Sequence, residues 1–275
     1  MLNKQHKKQK IITEQPTAVS SRDRGFNYGD GFFTTAKIVD GRLEHWLLHR
    51  ERLEECTERL SFPSIDFIAL EESIDECITS LATGVLKIVV TRGEGGRGYA
   101  LPENPQLTIL LAITDFPTYY DTLKENGLSL GISSIKLASQ PLLAGLKTLN
   151  RLEQVMIKQA MQAQTHDDVL VLDYKNHVIE TSAANVFAIK GGHIFTPSLN
   201  ECGIKGVYLK SLCAKLPIEF VSMSLVQLKN MDAVFICNSL MGVLPVKEID
   251  TVYFAIDKSL NLLNELMAKE YMCLR

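Results

Sequence analysis

The segment PLLAGLKTLNRLEQV (141–155) sets a lysine, Lys147, between Leu146 and Thr148, just ahead of Leu149, Leu152, Val155 and Met156, which recur at helical spacing. The spacing predicts a helix starting near Asn150, with Asn150 as its cap and Glu153 three residues on. A cation is an unusual choice at a helix start, where partial positive charge favours Asp or Glu. The commoner reading of a lone lysine is a solvated surface residue. The sharper one is an amine among apolar neighbours whose charged form is disfavoured, able to act as a nucleophile or Schiff-base partner.

Such a lysine either attacks a carbonyl substrate directly or holds pyridoxal phosphate, and the second case makes demands that can be sought in sequence. A phosphate needs free backbone N–H groups at a helix start, together with an arginine. NECGIKGVYLKSL (200–212) offers two glycines, Gly203 and Gly206, before a helical pattern beginning near Val207, so the amides of Ile204 and Lys205 are candidates to face it. A pyridine nitrogen needs a carboxylate to stay protonated. HVIETSAANVF (177–187) offers Glu180 at the end of a strand-like run, followed by small residues that let backbone approach a flat ligand. FICNSLMGVLP (235–245) adds Ser239 just past a buried strand, where a hydroxyl and an amide can contact phosphate. Taken singly, these features have ordinary structural readings: a glycine-punctuated helix start, an exposed glutamate at a strand end.

The elements that must position these residues read as α+β in the first half. NYGDGFFTTAKIVDGRLEHW (27–46) predicts two strands joined at Asp40-Gly41, followed by helices over 47–62 and 67–82 and apolar strands at 84–93 and 107–116. TDFPTYYDTLKENG (114–127), with its proline and polar residues, is the expected linker. Beyond it lie strands at 128–134, 168–174, 185–190, 193–198 and 231–239, turns at 174–177 and 190–193, and helices at 150–164 and 207–215. The division is therefore a small N-terminal α+β domain over 1–114 and a larger domain with mixed β-structure over 115–275, which carries Lys147.

GEGGRG (93–98) matches a dinucleotide-binding fingerprint and follows a strand. The reading fails on what comes next. YALPENPQ (99–106), eight residues with two prolines, cannot form the crossover helix that would seat a pyrophosphate, so the stretch reads as a flexible link between antiparallel strands. Arg97 and Tyr99 on that link remain candidates to reach a carboxylated ligand, since a guanidinium can grip a carboxylate with two hydrogen bonds.

Composition narrows the classes further. A net charge of −3 argues against general nucleic-acid affinity, and the basic lead (Lys4, Lys7, Lys8, Lys10) reads as a solvated terminus. The opening residues lack the apolar core of a signal peptide, and no apolar run is long enough to span a membrane. Six cysteines (56, 77, 202, 213, 237, 273) are scattered without metal-ligand spacing, so no metal is expected, and free thiols in the cytoplasm are.

Taken together, YGDGFFTTAKIVDGRL, GVLKIVVTRGEGGRGY, LAGLKTLNRLEQV, VIETSAANVF, GIKGVYL and ICNSLMGVLPV resemble the aminodeoxychorismate lyases, a family within the fold-type-IV pyridoxal-phosphate enzymes, the D-amino-acid aminotransferase-like fold. KTLNRLEQV is the part most particular to the lyases, whereas ETSAANVF is shared with branched-chain and D-amino-acid aminotransferases. The resemblance implies pyridoxal 5'-phosphate bound to Lys147 between two domains of a homodimer. It implies Glu180 on the pyridine nitrogen, and Arg52 (in the H-x-x-R-L spacing from His49, with Arg50 as neighbour), Ile204, Lys205 and Ser239 around the phosphate. The reaction implied is elimination from 4-amino-4-deoxychorismate to 4-aminobenzoate and pyruvate, a step toward folate. Arg97 and Tyr99 would meet the substrate, with Thr34 or Thr35 near the leaving group. An aminotransferase acting on branched-chain or D-amino acids is the alternative, because substrate choice does not follow from fold.

Overall fold

The computed structural model describes residues 9–13 and 19–273. Lys4, Lys7 and Lys8 of the basic lead lie outside them. The chain forms two compact units, Met1–Phe116 with Leu146–Asn150, and Pro117–Gly145 with Arg151–Arg275.

The first unit contains β1 (Gln9–Thr13), α1 (Arg24–Tyr28), β2 (Gly31–Val39), β3 (Arg42–Leu43), α2 (Trp46–Arg59), α3 (Phe67–Ile78), β4 (Thr83–Thr91) and β5 (Leu107–Thr114). The strands form one sheet in the order β1-β5-β4-β2-β3, with β1 parallel to β5 and the other pairs antiparallel. The two-residue turn between β2 and β3 falls at Asp40 (φ 46) and Gly41 (φ 71), the conformation that fits strand twist in a tight hairpin. Along β2, Phe32, Thr34, Ala36 and Ile38 are buried, and alternate residues are less so. Leu53 of α2 and Leu70 and Ile74 of α3 share a core with Phe32, Ile38, Leu86 and Ile88, so the helices cover one face of this sheet.

The second unit contains α4 (Tyr119–Asn126), β6 (Leu128–Ile132), α5 (Leu152–Met161), β7 (Asp168–Leu172), β8 (Val178–Thr181), β9 (Asn185–Lys190), β10 (His193–Pro197), α6 (Val207–Cys213), β11 (Ile218–Val221), α7 (Leu225–Lys229), β12 (Ala233–Asn238), β13 (Gly242–Ile249), β14 (Val252–Tyr253) and α8 (Ile256–Cys273). Its strands follow the order β11-β10-β9-β12-β13-β6-β7-β8, and β8 returns to pair with β9, closing a ring of six. Leu130, Leu170, Val186, Val234 and Leu244 fill one side of the strands. Phe187, Phe235, Leu209, Leu212 and Leu263 fill the other, beneath α6 and α8. Burial on both faces explains why these strands read as unbroken apolar runs rather than alternating ones. Phe187 and Phe235 oppose one another across β9 and β12 and stack with centroids 5.0 Å apart.

Lys147, which the sequence set in the larger domain, falls with Leu146–Asn150 in the first unit. Two further expected features differ. The 114–127 linker is mostly α4. Its proline precedes the helix instead of interrupting it, Asp121 and Lys124 sit at the ends that suit the helix dipole, and Tyr120 and Leu123 pack into the core. Asn150 is not a cap. The helix begins at Leu152 after Arg151, and the Asn150 side chain donates instead to the Gly29 carbonyl at 3.2 Å.

Candidate active site

In the first unit, residues 147–149 add a short strand to the free edge of β2. The Phe33 amide donates to the Lys147 carbonyl and the Leu149 amide to that of Gly31, both at 2.9 Å, with Phe32 opposite Thr148. A Cβ at Gly31 would fall 2.5 Å from the Val90 carbonyl oxygen of β4 and 2.6 Å from the Leu149 side chain, so the position, packed from both sides, requires glycine. This pairing also accounts for the late start of α5, because the backbone of Lys147 and Leu149 is engaged with β2. Strand parity sets Lys147 beside Phe33, and its Nζ lies 4.7 Å from the ring centroid. Lys87, which pairs with Thr35 across β4, puts its own Nζ 4.8 Å from the same ring. Phe33, Thr35, Lys87 and Lys147 therefore share one face of the sheet. Lys87 escapes a reading of sequence because it looks like an interruption in the apolar run VLKIVV.

Thr34 points the other way. It is 0% exposed, and its hydroxyl lies 2.6 Å from His49 Nδ1, with Arg52 Nη1 at 3.5 Å. Thr34, expected near the substrate, thus faces the interior of its unit, and by parity Thr35 is the threonine on the Lys147 face. Arg50 and Arg52 also separate. Arg50 lies at the surface between Glu54 and Glu71, whereas Arg52 is buried, and burial lowers its guanidinium to about 10, so it remains a cation at neutral pH. Arg97 and Tyr99 are exposed on the β4–β5 loop, Tyr99 edge-on to Tyr28 with centroids 5.5 Å apart.

In the second unit, Glu180 is buried where β8 meets β9, and its Oε2 accepts the Ile204 amide at 2.9 Å. The small residues after it form a tight return, in which the Thr181 amide donates to the Ala184 carbonyl at 2.8 Å. Asn185 clamps the facing turn: its Nδ2 donates to the Ile204 carbonyl at 2.7 Å and its Oδ1 accepts the Gly206 amide at 2.9 Å. The Lys205 amide is bonded to the Gly145 carbonyl at 3.0 Å. The amides of Ile204 and Lys205, expected to face a phosphate, are thus spent within the protein. At the start of α6 the amides of Val207, Tyr208 and Leu209 precede the first intrahelical bond, which the Lys210 amide makes to the Gly206 carbonyl at 3.0 Å. Ser239 stands where expected, directly after β12, in a turn closed by Asn238 Oδ1 accepting the amides of Leu240 and Met241. Arg151 is a further charge near Glu180: burial lowers its pKa, while Glu180 and Glu153 act to raise it.

A family model described as amino-transferase class IV matches residues 31–249. The chain is similar to the aminodeoxychorismate lyase of Vibrio harveyi, with 39% identity over 249 residues, 88% of this chain and 91% of the relative. It is 24% identical over 256 residues to a D-alanine aminotransferase of Staphylococcus epidermidis, covering 87% of this chain and 86% of that one. Among solved structures it is similar to the 4-amino-4-deoxychorismate lyase of Pseudomonas aeruginosa, with a TM-score of 0.85 and 34% identity over 91% of this chain and 96% of that one. The resemblance carried by the motifs is borne out: the chain belongs to the class IV amino-transferase family.

Proposed function

We propose that the chain is a 4-amino-4-deoxychorismate lyase that works with pyridoxal 5'-phosphate and releases 4-aminobenzoate and pyruvate. The observation that carries this reading is the chain's greater identity to two relatives named for that activity than to the D-alanine aminotransferase.

The donor set suits the cofactor: an amine at Lys147, a buried carboxylate at Glu180 and a buried guanidinium at Arg52. Lys147 would hold it covalently, Glu180 would keep a proton on its ring nitrogen, and Arg52, the first amides of α6 and Ser239 would take its phosphate. When bound, the cofactor supplies an electron sink for a carbanion. Once the substrate's amine has displaced it, the freed Lys147 Nζ would act as general base, taking the proton from the amine-bearing carbon of the substrate. The carbon–oxygen bond to the enolpyruvyl group breaks next, and the ring becomes aromatic. The Thr35 hydroxyl, on the Lys147 face of β2, would protonate the departing enol. Lys87 and Arg97 would hold the substrate's two carboxylates.

The test is to supply the cofactor-loaded protein with 4-amino-4-deoxychorismate and no keto acid. Catalytic release of 4-aminobenzoate and pyruvate supports the lyase. The D-alanine aminotransferase relative favours a second reading, and amino transfer to a keto acid without that release would install it.

The chain would act as a homodimer. Leu152, Val155 and Met156 lie on one face of α5 and are 71%, 61% and 46% exposed, an apolar stripe suited to a second copy. Cys56, Cys77, Cys202, Cys213 and Cys237 are free thiols, which accords with a reducing cytoplasm.

A further inference from the structure

The loop between β4 and β5 presents residues 94–101 to solvent and carries four glycines, the composition of a floppy link. Its geometry is instead specific. Gly93, Gly95, Gly96 and Gly98 all have positive φ (78°, 115°, 75° and 59°), and a Cβ at Gly96 would fall 2.1 Å from the Ala100 carbonyl oxygen. This folding turns successive carbonyls toward one buried side chain. Arg24 Nη1 lies within donor distance of the carbonyls of Gly95 (3.2 Å), Gly98 (3.2 Å) and Ala100 (3.0 Å), and Nη2 of that of Tyr99 (3.4 Å).

Arg24 is itself anchored from behind. Its Nε donates to Asp30 Oδ2 at 2.7 Å, and the same oxygen accepts Arg92 Nε at 2.9 Å. Arg92 reaches on to the carbonyls of Ser61 and Leu60, with its guanidinium 3.9 Å from the Phe62 ring centroid. The Arg24 amide donates to the Gly93 carbonyl at 2.9 Å, and Asp23 pairs with Glu94. A buried cation, rather than apolar packing, thus takes the place of a core beneath the loop. No lysine can do the same, since a single ammonium lacks the planar fork that serves Asp30 and the loop carbonyls at once.

We propose that Arg24 is a positioning residue for the substrate: it sets the shape of the 93–100 loop, and with it the reach of Arg97 and Tyr99. This rests on the reading above that Arg97 grips a substrate carboxylate. Arg24 acts through the loop and does not touch the substrate.

The experiment is a cycle of Arg24→Lys, Arg97→Ala and the double variant, assayed as holoenzyme on 4-amino-4-deoxychorismate. Arg24→Lys is expected to raise KM about tenfold with kcat within about threefold, while the dissociation constant and absorbance spectrum of pyridoxal 5'-phosphate stay unchanged. Amide hydrogen exchange at residues 94–100 is expected to quicken. The double variant should be no worse in KM than Arg97→Ala alone, because both act through one contact. Additive effects on KM, or an unchanged KM in Arg24→Lys, would overturn the proposal. An unchanged KM in Arg97→Ala would instead overturn the assignment of Arg97 on which it stands. Should Arg24→Lys not fold, Asp30→Asn loosens Arg24 from its far end, and the same split between KM and cofactor affinity decides.

Discussion

Thr34 Oγ1 lies 2.6 Å from His49 Nδ1 in the interior of the first unit, and among the described residues His49 Nε2 is buried without a hydrogen-bond partner. Arg52 Nη1 reaches the same threonine oxygen at 3.5 Å. Burial, and then the nearby charges of Arg52, His45 and Lys147, hold the His49 pKa down at about 3. The unfolded chain binds a proton here below pH ~6.5, whereas the folded chain stays neutral down to about pH 3. Through that window the unfolded state holds more protons, so stability falls as pH falls, by up to ~1.4 kcal/mol per pH unit for this group. His49→Gln should flatten that part of the acid limb, as read from urea unfolding at pH 4, 5, 6 and 7.

Lys147→Ala should cost about a thousandfold or more in turnover and abolish the borohydride-stable mass adduct with pyridoxal 5'-phosphate. The fold should survive, because the bonds between this segment and β2 are made by backbone atoms. A variant that keeps activity would sink the assignment of the lysine.

Glu180→Gln and Glu180→Ala should separate two roles. Glutamine keeps an oxygen for the Ile204 amide; alanine leaves that amide unpaired, at about 1–3 kcal/mol. Both should lose turnover, and only the alanine variant should lose that much stability in denaturant unfolding.

Gly206→Ala would bring a Cβ within 2.1 Å of Asn185 Oδ1, displacing the side chain that clamps the start of α6. Affinity for pyridoxal 5'-phosphate should fall about tenfold or more, a loss of roughly 1.4 kcal/mol, measured by fluorescence titration of the apoenzyme. Unaltered affinity would separate this turn from the cofactor.

Features fixed by local backbone demands were legible in the sequence. Asp40-Gly41 and Gly191-Gly192 declared their turns, since few other residues accept positive φ, and glycine at 206 marked the start of α6. Glu180 was legible as the end of a strand. What escaped depends on partners distant in sequence. Which of Thr34 and Thr35 faces Lys147 turns on strand parity, and parity is known only once residues 147–149 pair with β2. The amides of Ile204 and Lys205 were candidates until Glu180 and Gly145 claimed them. Arg24 gave no local signal of its role, because the loop carbonyls it gathers lie some 70 residues away.

The strand at 147–149 has a consequence for how the protein can be cut. The polypeptide leaves the first unit after Phe116, returns for Leu146–Asn150 and leaves again, so no single scission separates the two units. A fragment ending at Phe116 would lack the lysine and expose the N-terminal half of the β2 edge, a row of unsatisfied amides and carbonyls open to pairing with another copy. Excising 117–145 would keep the residues of the first unit but strip α4 and β6 from the second. Lys147 thus belongs to the stretch of chain that completes the first unit, and truncation cannot remove the one without damaging the other.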